Sequence, residues 1–160
     1  MPLDGAILAN TVFQSCQLQK VRLPGRDLAG FDFQDSIMTG IDLSGSNLAG
    51  ATLWRCNLAG ANLAGANLRG CRATHANFTE ARLDASQAVF RGANLAFADL
   101  SHATLRQASF AGASLRGANL HAVDDTGIEW SHADRTAILP TDPGRLAAES
   151  WRPPPLDVEE

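Results

Sequence analysis

Residues Ser46 to Gly70 read SNLAG-ATLWR-CNLAG-ANLAG-ANLRG. Each five-residue unit opens on a small residue, continues with a short polar one and then Leu, and closes on two variable positions, often ending in Gly. A period of five fits neither a helix, with its repeat of about 3.6, nor a strand, with its repeat of about 2. Such an internal repeat decides the fold before any local propensity does.

The Leu of each unit is taken as its centre. Centres recur every five residues from Leu8 through Leu43 and Leu63 to Leu83. Two extra residues then intervene within Asp84–Gln87, and the frame resumes at Phe90 and runs to Leu120. This gives 23 repeats, 16 before the slip and 7 after it. Every centre is Leu, Phe or Met except Ala73. The position two before the centre is Ala in 13 repeats and Cys at 16, 56 and 71.

The A-[D/N]-L-x-x pattern over about residues 6–122 resembles the pentapeptide-repeat family. The resemblance implies a right-handed quadrilateral parallel β-helix, in which each repeat forms one side of a square and four repeats make a coil. That form suits the physics of the repeat. One unit cannot bury its large side chain alone, whereas stacked coils build a continuous apolar column. The position two before the centre then points inward and must be small, and corner Gly suits a turn that needs positive φ. At about 4.8 Å per coil, roughly six coils make a rod of about 30 Å. The slip falls where a fourth coil closes, so the two extra residues are expected at a corner, as a tolerated insertion or a docking loop.

The chain divides into a lead-in (1–5), the repeat body (6–122), and a terminal segment (123–160) holding a degenerate last coil, a short helix and an acidic Pro-rich tail. Met1, Pro2 and Leu3 are expected to blunt the open first coil. Arg26 stands at an inward position; it is expected to snorkel outward beside Pro24 and Gly25 or to pair with Asp27, Asp32 or Asp35. Ala73 leaves less bulk in the column, to be filled by larger neighbours such as Phe78. After Leu120 the frame places Asp125 and Trp130 at centres, with Trp130 covering the column end, and residues 133–160 are expected to leave the pattern. Asp142-Pro143 opens a predicted helix, with Leu146 and Trp151 as its apolar contacts.

No apolar run reaches the 18 residues of a membrane-spanning helix, and MPLDGAILAN does not read as a secretory leader. The three Cys sit at inward small positions, packed like Ala, and make no disulfide framework. These features point to the cytoplasm, and no membrane partner is expected.

Nothing in the pattern carries catalysis. The abundant Ser and Asp are the repeat itself, and no Gly-Lys-Ser/Thr phosphate loop occurs. His102 and His121 belong to stacked repeats but to different positions within them, so they are not read as a ligand pair. The expectation is a non-enzymatic protein with no cofactor and no metal.

Within residues 6–122 there are 10 basic and 7 acidic residues, whereas residues 123–160 carry 9 acidic and 3 basic ones. The net charge of −4 therefore belongs to the terminal segment. The family's best-characterised members protect DNA gyrase from quinolones by imitating B-form DNA. DNA carries one negative charge per about 1.7 Å, so a rod body of about +3 lacks the charge for that mimicry. It also lacks the Lys/Arg stripe with interleaved aromatics of a nucleic-acid binder. The outward residues of one side include Trp54, Arg55, Arg72, His75, Phe97 and Arg116, types enriched at protein-binding hot spots. The leading expectation is a protein-binding scaffold docking through that side or through the terminal tail, which could equally form a homodimer. The alternatives are a gyrase modulator and an accessory or effector of a bacterial secretion system.

Overall fold

The computed structural model describes residues 12–82 and 88–150. Leu8, Leu83, the slip at Asp84–Gln87, the lead-in residues, Trp151 and the tail lie outside the described residues. The rest forms a β-helix. The residue before each centre makes a single parallel β-pair with the residue 20 positions on, from Val12↔Asp32 to Asn119↔Leu139. Four repeats therefore complete one coil. Pairs that span the slip are 22 apart, as in Asn67↔Val89 and Arg72↔Asn94, and the 20-residue spacing returns at Val89↔Ser109. The described residues on either side of the slip therefore stay in register.

The repeat's chemistry follows from its hydrogen bonds. In the unit Cys56–Gly60, the Leu58 N–H donates to the Asn77 carbonyl (2.7 Å), Asn57 N–H to Ser36 (3.0 Å) and Gly60 N–H to Thr79 (2.8 Å). The turn closes when Ala61 N–H donates to the Leu58 carbonyl (2.9 Å). The polar residue before the centre is short because its side chain serves this turn. Asn57 Oδ1 accepts from Ala59 N–H (3.2 Å), and Asn62 Oδ1 from Ala64 N–H (3.3 Å), a local Asx bond. Small inward positions that are not Ala satisfy their polar atoms with backbone. Ser46 Oγ donates to the Leu23 carbonyl, and the Cys56 thiol to that of Phe33.

Centres and inward residues make one continuous core. Aromatic centres stack where they recur on one side: Phe13 on Phe33 (5.5 Å), and Phe90 on Phe110 (4.7 Å). Ala73 is fully buried, and Phe78, the centre of the next repeat, meets Phe90 edge to face (6.4 Å, 90°). Arg26 is half-buried, neither inside the column nor fully in solvent. Burial pushes the thiols of Cys56 and Cys71 up to about 12, so they stay protonated packing groups.

The coil frame runs past the point where the sequence loses it. Asp124, Glu129, Asp134 and Leu139 all pair with the preceding coil, so residues 133–139 remain in the stack. A last coil needs partners on one face only, and its centres need not be apolar: Asp125, Arg135 and Pro140 occupy them, exposed. The apolar role passes to Val123, Ile128, Ala133 and Ile138, which pack partly buried on the core beside Trp130. Trp130 stacks on Phe110 (5.1 Å) under the guanidinium of Arg135 (5.3 Å). It covers its own column, and beside it the end is hollowed by about 330 Å³.

Helix α1 (Pro143–Ser150) is capped by Asp142, whose Oδ1 accepts from Gly144 N–H (2.8 Å). It buries no residue, and Leu146 is 40% exposed. The expected apolar anchoring by Leu146 is thus replaced by a polar clamp. His121, 1% exposed, accepts at Nδ1 from Asp142 N–H (3.1 Å) and meets Glu149 Oε2 through Nε2 (3.2 Å). His102 Nε2 reaches the same oxygen (3.4 Å), and Arg145 Nε donates to Oε1 (2.7 Å). The hydrogen bond from Arg145, aided by His121, holds the Glu149 carboxyl below its ordinary 4.5. A depressed carboxyl stabilises the docked helix above the ordinary value, and this is lost as pH falls through the lowered one. Amide-exchange protection of Ala147 and Ala148 is expected to vanish on acidification below 4.5 and to be weak already at neutral pH in Glu149→Gln. Unchanged protection in that variant would contradict the clamp.

Candidate functional site

The corner after the Leu53 side departs furthest from Gly, although Lys20, Glu80, His102 and Ala122 also hold positive φ in the corner after the Leu58 side and His132 in that after the Leu68 side. The corner after the Leu68 side is Gly30, Gly50, Gly70, Gly92 and Gly112, all at positive φ. After the Leu53 side the same position holds Ser15, Asp35, Arg55, His75, Phe97, Gly117 and Ala137, also all at positive φ (53–66°). Of the twelve non-Gly residues with positive φ among the described residues, six stand in this ladder. Asp and His are tolerated there; Arg and above all Phe are outliers. A left-handed residue with a Cβ costs about 1–2 kcal/mol, so these side chains are kept at the expense of backbone ease.

The side chains form two stacked units along the rod. Arg55 lies on the half-buried Trp54 ring (3.9 Å from the centroid) and grips Asp35 with Nε (2.6 Å) and Nη2 (2.8 Å). This pairing holds the Asp35 carboxyl below its ordinary 3.8. One coil on, His75 stacks on Phe97 (5.2 Å, 11° between planes). Phe97 stays 53% exposed and covers Gly117, where a Cβ would fall 2.7 Å from two ring carbons. Gly117 is thus required twice, for its φ and for the ring above it. Arg72 and Arg116 are exposed on the same side. All six residues expected at a docking face, Trp54, Arg55, Arg72, His75, Phe97 and Arg116, fall on this side and its corner. Asp35 is the member that sequence reasoning missed; its signal is the spacing of 20 to Arg55.

His102, His121 and Glu149 place their donor atoms within 4.8 Å of one another, the geometry of a metal site. The hydrogen bonding fits a clamp better. An Nδ1 that accepts from Asp142 N–H puts the proton of neutral His121 on Nε2, where it donates to Glu149 and is closed to a metal. Neither the ladder nor this cluster offers a nucleophile beside a base; what the ladder offers is flat aromatic faces edged by guanidinium groups.

A family model described as pentapeptide repeats matches residues 27–63, 55–87 and 88–124, with 8 copies. No curated protein matches the sequence. Among solved structures, the chain is similar to the pentapeptide-repeat protein Rfr23 from the cyanobacterium Cyanothece 51142, at 20% identity over 82% of this chain and 88% of that one, with a TM-score of 0.47. It is similar to QnrB1, a plasmid-mediated fluoroquinolone resistance protein, at 16% identity over 85% and 87%, with a TM-score of 0.37. A pentapeptide-repeat protein of the Arabidopsis thaliana thylakoid lumen matches at 24% identity over 83% and 72%, with a TM-score of 0.31.

If the ladder is kept for its side chains and not for folding, a His75→Gly, Phe97→Gly variant should lose little stability. Relief of strain of about 1 kcal/mol per residue offsets a lost ring pair of about 0.5–1.5 kcal/mol. Chemical denaturation should place its midpoint close to wild type; a loss on the scale of a core truncation would mark the pair as structural.

Proposed function

Because the chain belongs to the pentapeptide-repeat family, we propose that it is a non-enzymatic scaffold in the right-handed quadrilateral form, docking a protein partner through the Leu53 side and its corner. One observation carries this reading: over successive coils Arg55, His75 and Phe97 hold a left-handed corner in place of Gly, and their side chains pair or stack along the rod. Trp54 and Arg55 are the expected centre of the interface, since the Arg is already fixed by Asp35 and loses little freedom on binding. Phe97 and His75 extend it along the rod, and Arg72 and Arg116 flank it. Three unpaired Cys suit a reducing compartment, and the cytoplasm is the one proposed.

The gyrase-modulator reading has no comparable support. The rod body is basic, and several of its acids are occupied locally: Asp35 by Arg55, Asp42 by Ser44, Asn62 and Arg22, and Asp99 by Asn119. A free acidic stripe is what DNA mimicry would need.

Affinity capture from cells that express the protein tests the proposal, with wild type beside a Trp54→Ala, Phe97→Ala variant. Hot-spot truncations cost about 2 kcal/mol each, so a genuine partner should drop out of the variant. Equal recovery by both would overturn the docking face. Recovery of gyrase by both, lost on neutralising Asp32 and Asp42, would restore the DNA-mimic reading.

A further inference from the structure

The coils that carry the docking face also assemble a basic patch. The relevant stretches are residues 49–55, 69–75, 91–97 and 111–117, each a corner followed by the Leu53 side of one coil. They contain Arg55, Arg69, Arg72, Arg91 and Arg116 and no Asp or Glu. Arg69 and Arg91 hold the same corner position in consecutive coils, where Gly70 N–H donates to the Arg91 carbonyl (3.0 Å). Arg72 begins the next side directly after Gly70. The corner itself is unobstructed, because a Cβ added at Gly70 or Gly92 would meet nothing within 4 Å. Arg69, Arg72 and Arg91 are exposed and form no ion pair among the described residues, whereas Arg55 is bound to Asp35. Glu129 borders the same hollow as Arg91 but accepts from Ser109 Oγ (2.7 Å) and makes no ion pair with it, so the like charges are not neutralised and an anionic occupant relieves them.

The patch has ends. In the coil before it, the same stretch (29–35) holds Asp32 and Asp35; in the coil after it, residues 131–137 hold Asp134. Four coils at about 4.8 Å spacing span about 15 Å, which an extended peptide covers in about five residues at about 3.3 Å each. A nucleic acid, contacting several phosphates along a continuous path, would run onto the bounding carboxylates in both directions.

We propose that the partner docks with a short acidic segment, a run of Asp and Glu about five residues long, laid along the rod on Arg69, Arg72 and Arg91 beside the Trp54–Phe97 ladder. This rests on the docking reading and adds the chemistry of the partner. Guanidinium pairs give direction to carboxylates that the aromatic ladder alone does not.

Fluorescence anisotropy of labelled hexaglutamate with the full chain at low ionic strength tests it. Hexaglutamine and a single-stranded oligonucleotide of matched charge serve as controls, and Arg69→Gln, Arg72→Gln, Arg91→Gln as the variant, its fold checked by circular dichroism. The expected result is salt-sensitive binding of hexaglutamate, stronger than that of the oligonucleotide, absent with hexaglutamine, and weakened about tenfold or more in the variant. No binding to wild type, equal binding to the variant, or preferential binding of the oligonucleotide would each overturn the proposal. If hexaglutamate fails while partner capture still depends on Trp54 and Phe97, the docking face stands and the acidic-segment proposal falls.

Discussion

The structure depends on one constraint: each backbone segment pairs in parallel with the segment 20 residues on. That pairing uses the N–H of the centre, of the residue before it and of the corner, so every repeat is tied on both faces. It also puts like positions directly above one another. A column of Leu and Phe then fills the interior, and each buried side chain of this size contributes about 1.5–3 kcal/mol. Outward positions become ladders in the same way, whether of amides (Asn67 Nδ2 to Asn47 Oδ1, 2.9 Å) or of opposite charges (Arg55 on Asp35). A side chain is placed by its register alone, which lets a repetitive chain carry a non-repetitive surface.

The corners separate folding from recognition. A coil needs a left-handed residue at each turn, and Gly supplies it at no steric cost. Where bulky side chains replace Gly at successive levels and also pair or stack with one another, as Arg55, His75 and Phe97 do, the strain points to a use for them. Phe97 makes the case most clearly. It is bulky, at φ 58°, half in solvent, and its ring requires Gly117 beneath it. The free arginines lie on the adjoining corner, where Gly leaves them open. Aromatic faces and unpaired guanidinium groups thus border the same strip of the rod.

Most of this architecture was legible in the chain because the five-residue pattern resembles a known repeat family, and that resemblance supplied the coil of four repeats. With that coil length the sides could be assigned by counting in twenties, and the two-residue slip shows as the change from 20 to 22 in the pairing distance. What escaped was whatever the period does not govern. The last coil continues through Leu139 although Asp125, Arg135 and Pro140 are poor centres, since an end coil is held by backbone pairing on one face. The docking of α1 through Glu149 joins a helix to His121, 28 residues earlier, and to His102 with no periodic signal. Leu146 looked like an anchor by hydropathy and stays exposed because charge, not apolar area, holds that helix.

The account stands or falls on register, and the hardest place to keep it is across the slip. His75 and Phe97 are 22 residues apart in the chain, yet their rings stack at 5.2 Å. Replacing both by Cys places the new thiols on adjacent levels of one corner, at about the 4.4–6.8 Å Cα separation that a disulfide spans. The native Cys56 and Cys71 are buried and protonated and should not compete. Mild oxidation followed by peptide mapping is the measurement. The account expects a 75–97 disulfide to form in the folded protein with no loss of the β-helix. Two free thiols at those positions, or pairing only after unfolding, would show that the slip breaks the ladder and that the docking strip is not continuous.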